Sequence, residues 1–225
     1  MVTFKHKFKM FKNGFTLAEV LITLVIIGVV AAMTIPNLIN KTNREELRTG
    51  LLKAQTVISN ALEMFNVKNG YKIIPSEIRY SEGSTRVYLF RLLKPYFSIV
   101  KDCSGGVCSN GGFRTYNNKT VIIDHIIDDG GYVLNDGMVL YFESYTGNMY
   151  IAADVNGNKK PNRAGYDLFF FQLNDDGNLV PMGAEGTDYY SETDEYCSKT
   201  STSQYNGVGC TAKALKDANY FKNLP

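Results

Sequence analysis

The sequence predicts an α+β fold, with one long N-terminal helix packed on an antiparallel sheet of about four strands and disulfide-bearing loops around it. Three observations carry that prediction. Residues 15–35 form an apolar run with a single charge, and beyond Pro36 the run passes into an amphipathic stretch of helical period. From residue 120 the pattern changes to short β-rich runs punctuated by Asp-Gly and Asn-Gly. Four cysteines, all downstream of the apolar run, fall into two local pairs, Cys103 with Cys108 and Cys197 with Cys210.

Composition sets the bounds. A chain of 225 residues has room for one full domain beside a membrane segment. With 20% charged and 44% hydrophobic residues it is neither a polytopic membrane protein nor a disordered chain. Its 20 glycines, 15 tyrosines and 13 phenylalanines suit a head of strands and turns. The charge is uneven. Residues 1–14 hold Lys5, Lys7, Lys9 and Lys12 and no acid, so removing these four lysines from a formal net charge of +2 leaves −2. A weakly acidic remainder has no electrostatic footprint for nucleic acid, and no direct nucleic-acid binding is expected. The lysines instead orient the following helix with its C-terminus away from the cytoplasm.

Phe15 to Ile35 is apolar apart from Glu19 and is roughly 32 Å long as a helix, enough to cross a bilayer core. Pro36 removes a backbone donor, so a kink or local melt is expected there. Helical spacing then resumes: Leu47, Leu51, Ala54, Ile58, Ala61 and Phe65 recur at steps of three and four, to about Val67, with Asn69-Gly70 as the stop. The domain reading is a basic leader at 1–14, a long helix at 15–67 (apolar at 15–35, amphipathic at 36–67) and a head at 68–225. The apolar half has no partner within the chain and needs lipid or the same half of other subunits.

Residues 71–120 read as a connector lying over the sheet, with a short helix around Thr85 to Leu93 ending before Pro95, then the Gly-rich run CSGGVCSNGG. Four strands are expected: TVIIDHII from Thr120, MVLYFES from Met138, NMYIAADV from Asn148 and DLFFFQL from Asp167, the middle pair forming a hairpin around Gly147. After Leu179 the chain turns polar and Tyr-rich, closing with the Cys197 to Cys210 loop and a segment from Ala212 to Phe221 with helical character. An even cysteine count beyond a membrane segment reads as disulfides, although four cysteines allow three connectivities. A zinc site is the alternative, but no second CxxC or HxxxH flanks either pair.

The stretch KNGFTLAEVLITLVIIGVVAAMTIPN, Lys12 to Asn37, resembles the prepilin signal of type IV pilins and type II secretion pseudopilins. The resemblance implies a pilin-like fold and a structural rather than enzymatic role. A prepilin peptidase would cut between Gly14 and Phe15 and methylate the new Phe15 amine, and Glu19 would engage that amine on a neighbouring subunit. Pro36 corresponds to the family's proline, where the helix melts on assembly. The implied partners are pilin-like subunits in a homo-oligomer or mixed filament, the prepilin peptidase, an inner-membrane assembly platform and the membrane itself. The implied setting is the bacterial inner membrane, with the head outside the cytoplasm, and then a periplasmic pseudopilus or a cell-surface pilus.

The residue types make sense unaided as well. A carboxylate inside an apolar segment costs roughly 2.5–3.5 kcal/mol, and a free amine at the start of each helix offsets it. Glu19 also completes a Thr16-x-x-Glu19 capping box, in which it satisfies first-turn amides. Val30-Ala31-Ala32 resembles a site for ordinary signal peptidase, a reading that leaves Gly14-Phe15 and Glu19 without purpose. The alternative function is a membrane-anchored ectodomain that binds a ligand or acts as an enzyme without assembling.

In the head no catalytic constellation emerges. The histidines are His6 in the leader and His125 in a strand-like run, and no GxSxG, HExxH or P-loop is present. One loop, Asp154 to Asp167, offers alternating oxygen donors. Asp154, Asn156, Asn158, Asn162 and Asp167 have the types to hold a hard cation, and calcium is the cofactor such a loop would take, as some pseudopilin heads do. It is not an EF-hand, since Lys159 stands where the glycine belongs and Gly165 where the bidentate glutamate belongs. The competing reading is an Asn-Gly turn between two strands. Phe169-Phe170-Phe171 is expected to pack against the long helix or between sheet faces, while Tyr189-Tyr190 lies in the polar tail.

Overall fold

The structure, a computed structural model, describes residues 14–77, 88–103, 108, 112–120, 126–127, 129–145, 147–157 and 159–225. Two compact units follow one another along the chain, Met1–Asn43 and Arg44–Pro225. The leader lysines, His125 and Asn158 lie outside the described residues.

Helix α1 runs Leu17–Asn69. Its end is set by chemistry the sequence contains. Gly70 takes φ +76, its amide donates to Asn66 O at 2.8 Å, and the Asn69 side chain donates to Phe65 O at 2.8 Å. Pro36 lies inside the helix, and the chain is helical on both sides of it, so the expected local melt is not present in this form of the chain. The carbonyl freed by the proline is that of Ala32, an exposed residue, so the helix can continue without a buried unpaired acceptor.

Within the second unit the helical stripe is buried as its period predicts. Leu51, Ala54, Ile58, Ala61 and Phe65 are each 2% exposed or less. They face six strands in sequential antiparallel order: β1 Ile99–Asp102, β2 Gly131–Leu134, β3 Val139–Tyr145, β4 Asn148–Asp154, β5 Leu168–Leu173 and β6 Leu179–Pro181. The period of two in the central strands divides their side chains. Leu140, Phe142, Met149, Ile151, Ala153, Phe169, Phe171 and Leu173 join the core with α1. Val139, Tyr141, Tyr150, Ala152, Leu168 and Phe170 form a second core under the C-terminal segments. The sheet is therefore covered on both faces, which is why Phe169-Phe170-Phe171 has no polar residue among the three.

Strand number corrects the expectation of about four. Three of the expected strands are β3, β4 and β5. For the run from Thr120, residues 121–125 lie outside the described residues, and Ile126 and Ile127 are buried in the second core without belonging to a strand. The additional strands are short and lie at or beside the edges: β1 has one side chain partly covered and three exposed, and β6 ends on Pro181. Helix α2, Tyr88–Leu93, continues into a 3-10 turn at Lys94–Tyr96, so Pro95 falls inside a helical turn rather than after one. Phe90 of α2 stacks on Tyr132, which lays the connector over the sheet as expected. Helix α3, Thr211–Lys216, and a 3-10 turn at Tyr220–Lys222 fill the segment from Ala212 to Phe221. The disulfides join Cys103 to Cys108 and Cys197 to Cys210, and the described residues include no free cysteine.

Candidate functional site

Two places concentrate the chemistry expected from the sequence. The first is the start of α1. Glu19 Oε2 accepts from the Thr16 amide and from Thr16 Oγ1, both at 2.8 Å, and the Glu19 amide donates back to Thr16 Oγ1 at 3.2 Å. This is the reciprocal capping box, and it satisfies donors that a helix start otherwise leaves open. Gly14 and Phe15 precede it in non-helical conformation, with the Phe15 side chain 88% exposed. From there the apolar residues are open: Leu17, Leu24, Ile27 and Met33 are each at least 60% exposed. The helix is long and apolar enough to cross a membrane, and its apolar part is not buried among the described residues.

The second place is the loop between β4 and β5. Asp154 ends β4 and Asp167 precedes β5, and Val155 N donates to Asp167 O at 2.9 Å, which closes the loop at its base. Both carboxylates are fully buried. Asp167 is well supplied with donors: Oδ1 accepts from Arg163 N at 2.6 Å, and Oδ2 from Asn162 N at 2.9 Å and Asn156 Nδ2 at 3.3 Å. Asp154 is not. Neither of its oxygens has a hydrogen-bond partner of ordinary geometry, and neither do Asn156 Oδ1 and Asn162 Oδ1.

Electrostatics follow from that geometry. Burial pushes the Asp154 carboxyl up to about 8, the Asp167 charge pushes the same way, and the nearby Asn156 and Gly157 amides oppose them. Burial raises Asp167 to about 6, against its hydrogen bonds from Arg163, Asn162 and Asn156. The Arg163 guanidinium is engaged elsewhere, donating to the carbonyls of Tyr116 and, at 3.2 Å, Pro225. Lys159 pairs with Glu46 at 3.0 Å.

The loop is wedged between α1 and the β2–β3 turn. A Cβ on Gly50 would lie 2.9 Å from Val155 Cβ, and a Cβ on Gly157, whose φ is +66, would lie 2.4 Å from Gly137 O. Both glycines allow close backbone approach. This tight seating was missed in the sequence, where Gly50 on an otherwise amphipathic helix and the Asp136-Gly137 turn were the available signals. Of the five predicted donors, the structure brings together Asp154, Asn156, Asn162 and Asp167, and the fifth, Asn158, is the one outside the described residues. Among the described residues no three carboxylates, imidazoles or thiolates converge, so any cation here would depend on amide oxygens.

Residues 9–35 match the family described as the prokaryotic N-terminal methylation motif. No curated protein and no solved structure matches the chain. The match spans Lys9 and Lys12 of the leader, Gly14-Phe15, the capping box and the exposed apolar helix, and stops one residue short of Pro36. Such a motif implies processing by prepilin peptidase and fits a precursor anchored in the inner membrane. The chain thus carries a type IV pilin-like prepilin signal, joined to an α+β fold of pilin-like build.

Proposed function

We propose that the protein is a structural subunit of a type IV pilus or type II secretion pseudopilus. In this reading it is cut between Gly14 and Phe15, methylated on the Phe15 amine and assembled through the first half of α1. The observation that carries it is an apolar helical surface from Leu17 to Ile35 that the described residues leave uncovered, within a matched processing signal. Before cleavage lipid covers that surface, with the head outside the cytoplasm. After assembly sister helices cover it, in a homo-oligomer or a mixed filament of pilin-like subunits built by an inner-membrane platform. Leaving lipid for sister helices gains little from hydrophobicity itself, since lipid tails are already apolar, so packing and polar pairing must supply the association. Glu19 meets that need: its capping bonds to Thr16 orient a carboxylate at the helix start, where the Phe15 amine of a neighbour can pair with it.

The role is structural, not enzymatic. In cells of the source organism, Gly14 changed to a bulky residue should block cleavage and leave the precursor in the membrane. Glu19→Ala should permit cleavage and abolish filaments. Normal filaments from Glu19→Ala would refute the pairing role and leave Glu19 as a helix cap only.

A further inference from the structure

The entry point of the second unit carries a charge pattern that assembly through the first half of α1 leaves unexplained. That unit begins at Arg44. Arg44 and Arg48 are one helical turn apart on the same flank of α1, and Arg44 Nη1 donates to Lys222 O at 2.9 Å, which brings the exposed Lys222 alongside. On the other flank Glu46 pairs with Lys159 at 3.0 Å, and the exposed Lys160 follows it. Five cations thus lie on both flanks of the first helical turns of this unit, against Glu45 and Glu46, a net charge of +3. Residues 15–225 carry a formal −2, so everything outside this collar carries −5. The head is therefore electrically polar, basic where the chain enters it and acidic on balance elsewhere.

We propose that this collar of Arg44, Arg48, Lys159, Lys160 and Lys222 docks the head on anionic phospholipid headgroups of the leaflet facing away from the cytoplasm. The inference rests on the membrane placement of the apolar helix and not on filament assembly. Only nine residues separate Ile35, the end of the apolar run, from Arg44, so in any conformation the start of the collar lies within about 30 Å of that end. The span already holds the head at the surface, so charge has only to choose which side of the head faces the lipid. Attraction of the collar and repulsion of the acidic remainder choose the same side. Ammonium and guanidinium groups both pair with phosphate, the guanidinium through two parallel hydrogen bonds. The acidic surface of a second copy is the competing partner. Lipid is favoured because the collar flanks the point where the chain arrives from the span, and headgroups are present there whether or not another copy is near.

The chain contains no tryptophan, so an indole introduced at the exposed Asn223, next to Lys222, reports on this surface alone. Full-length Asn223→Trp is inserted into vesicles of phosphatidylcholine, with or without phosphatidylglycerol, that carry a spin-labelled headgroup as quencher. Alkaline extraction checks the insertion of every variant, which separates a failure of membrane placement from a failure of docking. The expected result is at least twofold stronger quenching with phosphatidylglycerol, falling to the phosphatidylcholine level in molar salt, where screening shortens electrostatic reach to about 3 Å. Val67→Trp, at a site 80% exposed and about 35 Å farther along α1 than Arg44, should show no such difference. Arg48→Glu with Lys160→Glu removes the net positive charge of the collar. Both side chains are exposed and make no hydrogen bond or ion pair with the described residues, so the fold is retained, as an unchanged unfolding midpoint would verify. This double variant should lose the phosphatidylglycerol effect, and Arg48→Lys with Lys160→Arg should keep it. Equal quenching in the two kinds of vesicle, quenching insensitive to salt, or an undiminished effect in the double glutamate variant would overturn the assignment. So would quenching that follows the protein-to-lipid ratio instead of lipid charge, which would mark contact between copies.

Discussion

Replacing Gly50 by alanine tests the seating of the β4–β5 loop on α1, and two opposed effects decide its sign. In an open helix interior the change stabilises by about 1 kcal/mol, because alanine costs less backbone entropy to order. At this position the new Cβ would meet Val155 Cβ at 2.9 Å, Val155 Cγ2 at 3.2 Å and Val155 O at 3.3 Å. Those are a branch point and a backbone carbonyl, not the free end of a flexible chain, so the helix or the loop has to move. Overpacking of that kind costs about 1–3 kcal/mol, which outweighs the helical gain and leaves a net loss of about 1 kcal/mol. Urea unfolding of the full chain in micelles, followed by circular dichroism, measures it. In a Val155→Gly background the two side-chain contacts are gone and only the carbonyl at 3.3 Å remains, so the same Gly50→Ala change should cost markedly less. An increase in the unfolding midpoint for Gly50→Ala in the otherwise wild-type chain would refute the close approach.

Other expectations follow from the same packing. Leu51→Ala empties a site that is 1% exposed beneath the sheet and should cost about 2–5 kcal/mol in the same unfolding assay. Replacing Cys197 and Cys210 by alanine opens a bridge with sequence separation 13, and the loss should be about 3 kcal/mol, seen as a lower denaturant midpoint. Lys53 and Asp136 pair at 2.6 Å between α1 and the β2–β3 turn, with Lys53 half exposed, so Asp136→Asn should cost no more than about 1 kcal/mol at neutral pH. Burial alone would raise the Asp136 carboxyl, but Lys53 and the Met138 amide outweigh it and hold the group below its ordinary value. Its contribution is therefore present above the unfolded pKa near 4 and lost as pH falls through the lower folded value, so the gap between wild type and Asp136→Asn should close on acidification.

What the sequence made legible is what local period and composition determine. The buried stripe of α1 and its Gly70 stop were readable because a 3.6-residue repeat and a residue able to take positive φ leave marks in the chain itself. Strands β3 to β5 were readable as β-rich runs. Strand β1 was not, because IVKD has neither alternation nor a covered face, and its identity comes from pairing with Gly131–Leu134 some thirty residues away. In the loop, the oxygen-bearing residues were visible from their spacing. The division of labour among them was not: Asp167 takes three well-formed hydrogen bonds while Asp154 has only the Asn156 and Gly157 amides nearby, and the Asp167 set depends on Asn162 adopting a left-handed conformation in the folded loop. Nothing in the sequence marked Arg163 as a buried residue tied to Tyr116 and Pro225.

The processing proposed above makes Phe15 the first residue of the mature protein. Mass spectrometry of the protein isolated from its own cells tests this most directly. The expected result is a mature N-terminal peptide that starts at Phe15 and carries a methyl group on its α-amine. A mature chain retaining Met1, or one cut after Ala32, would contradict it.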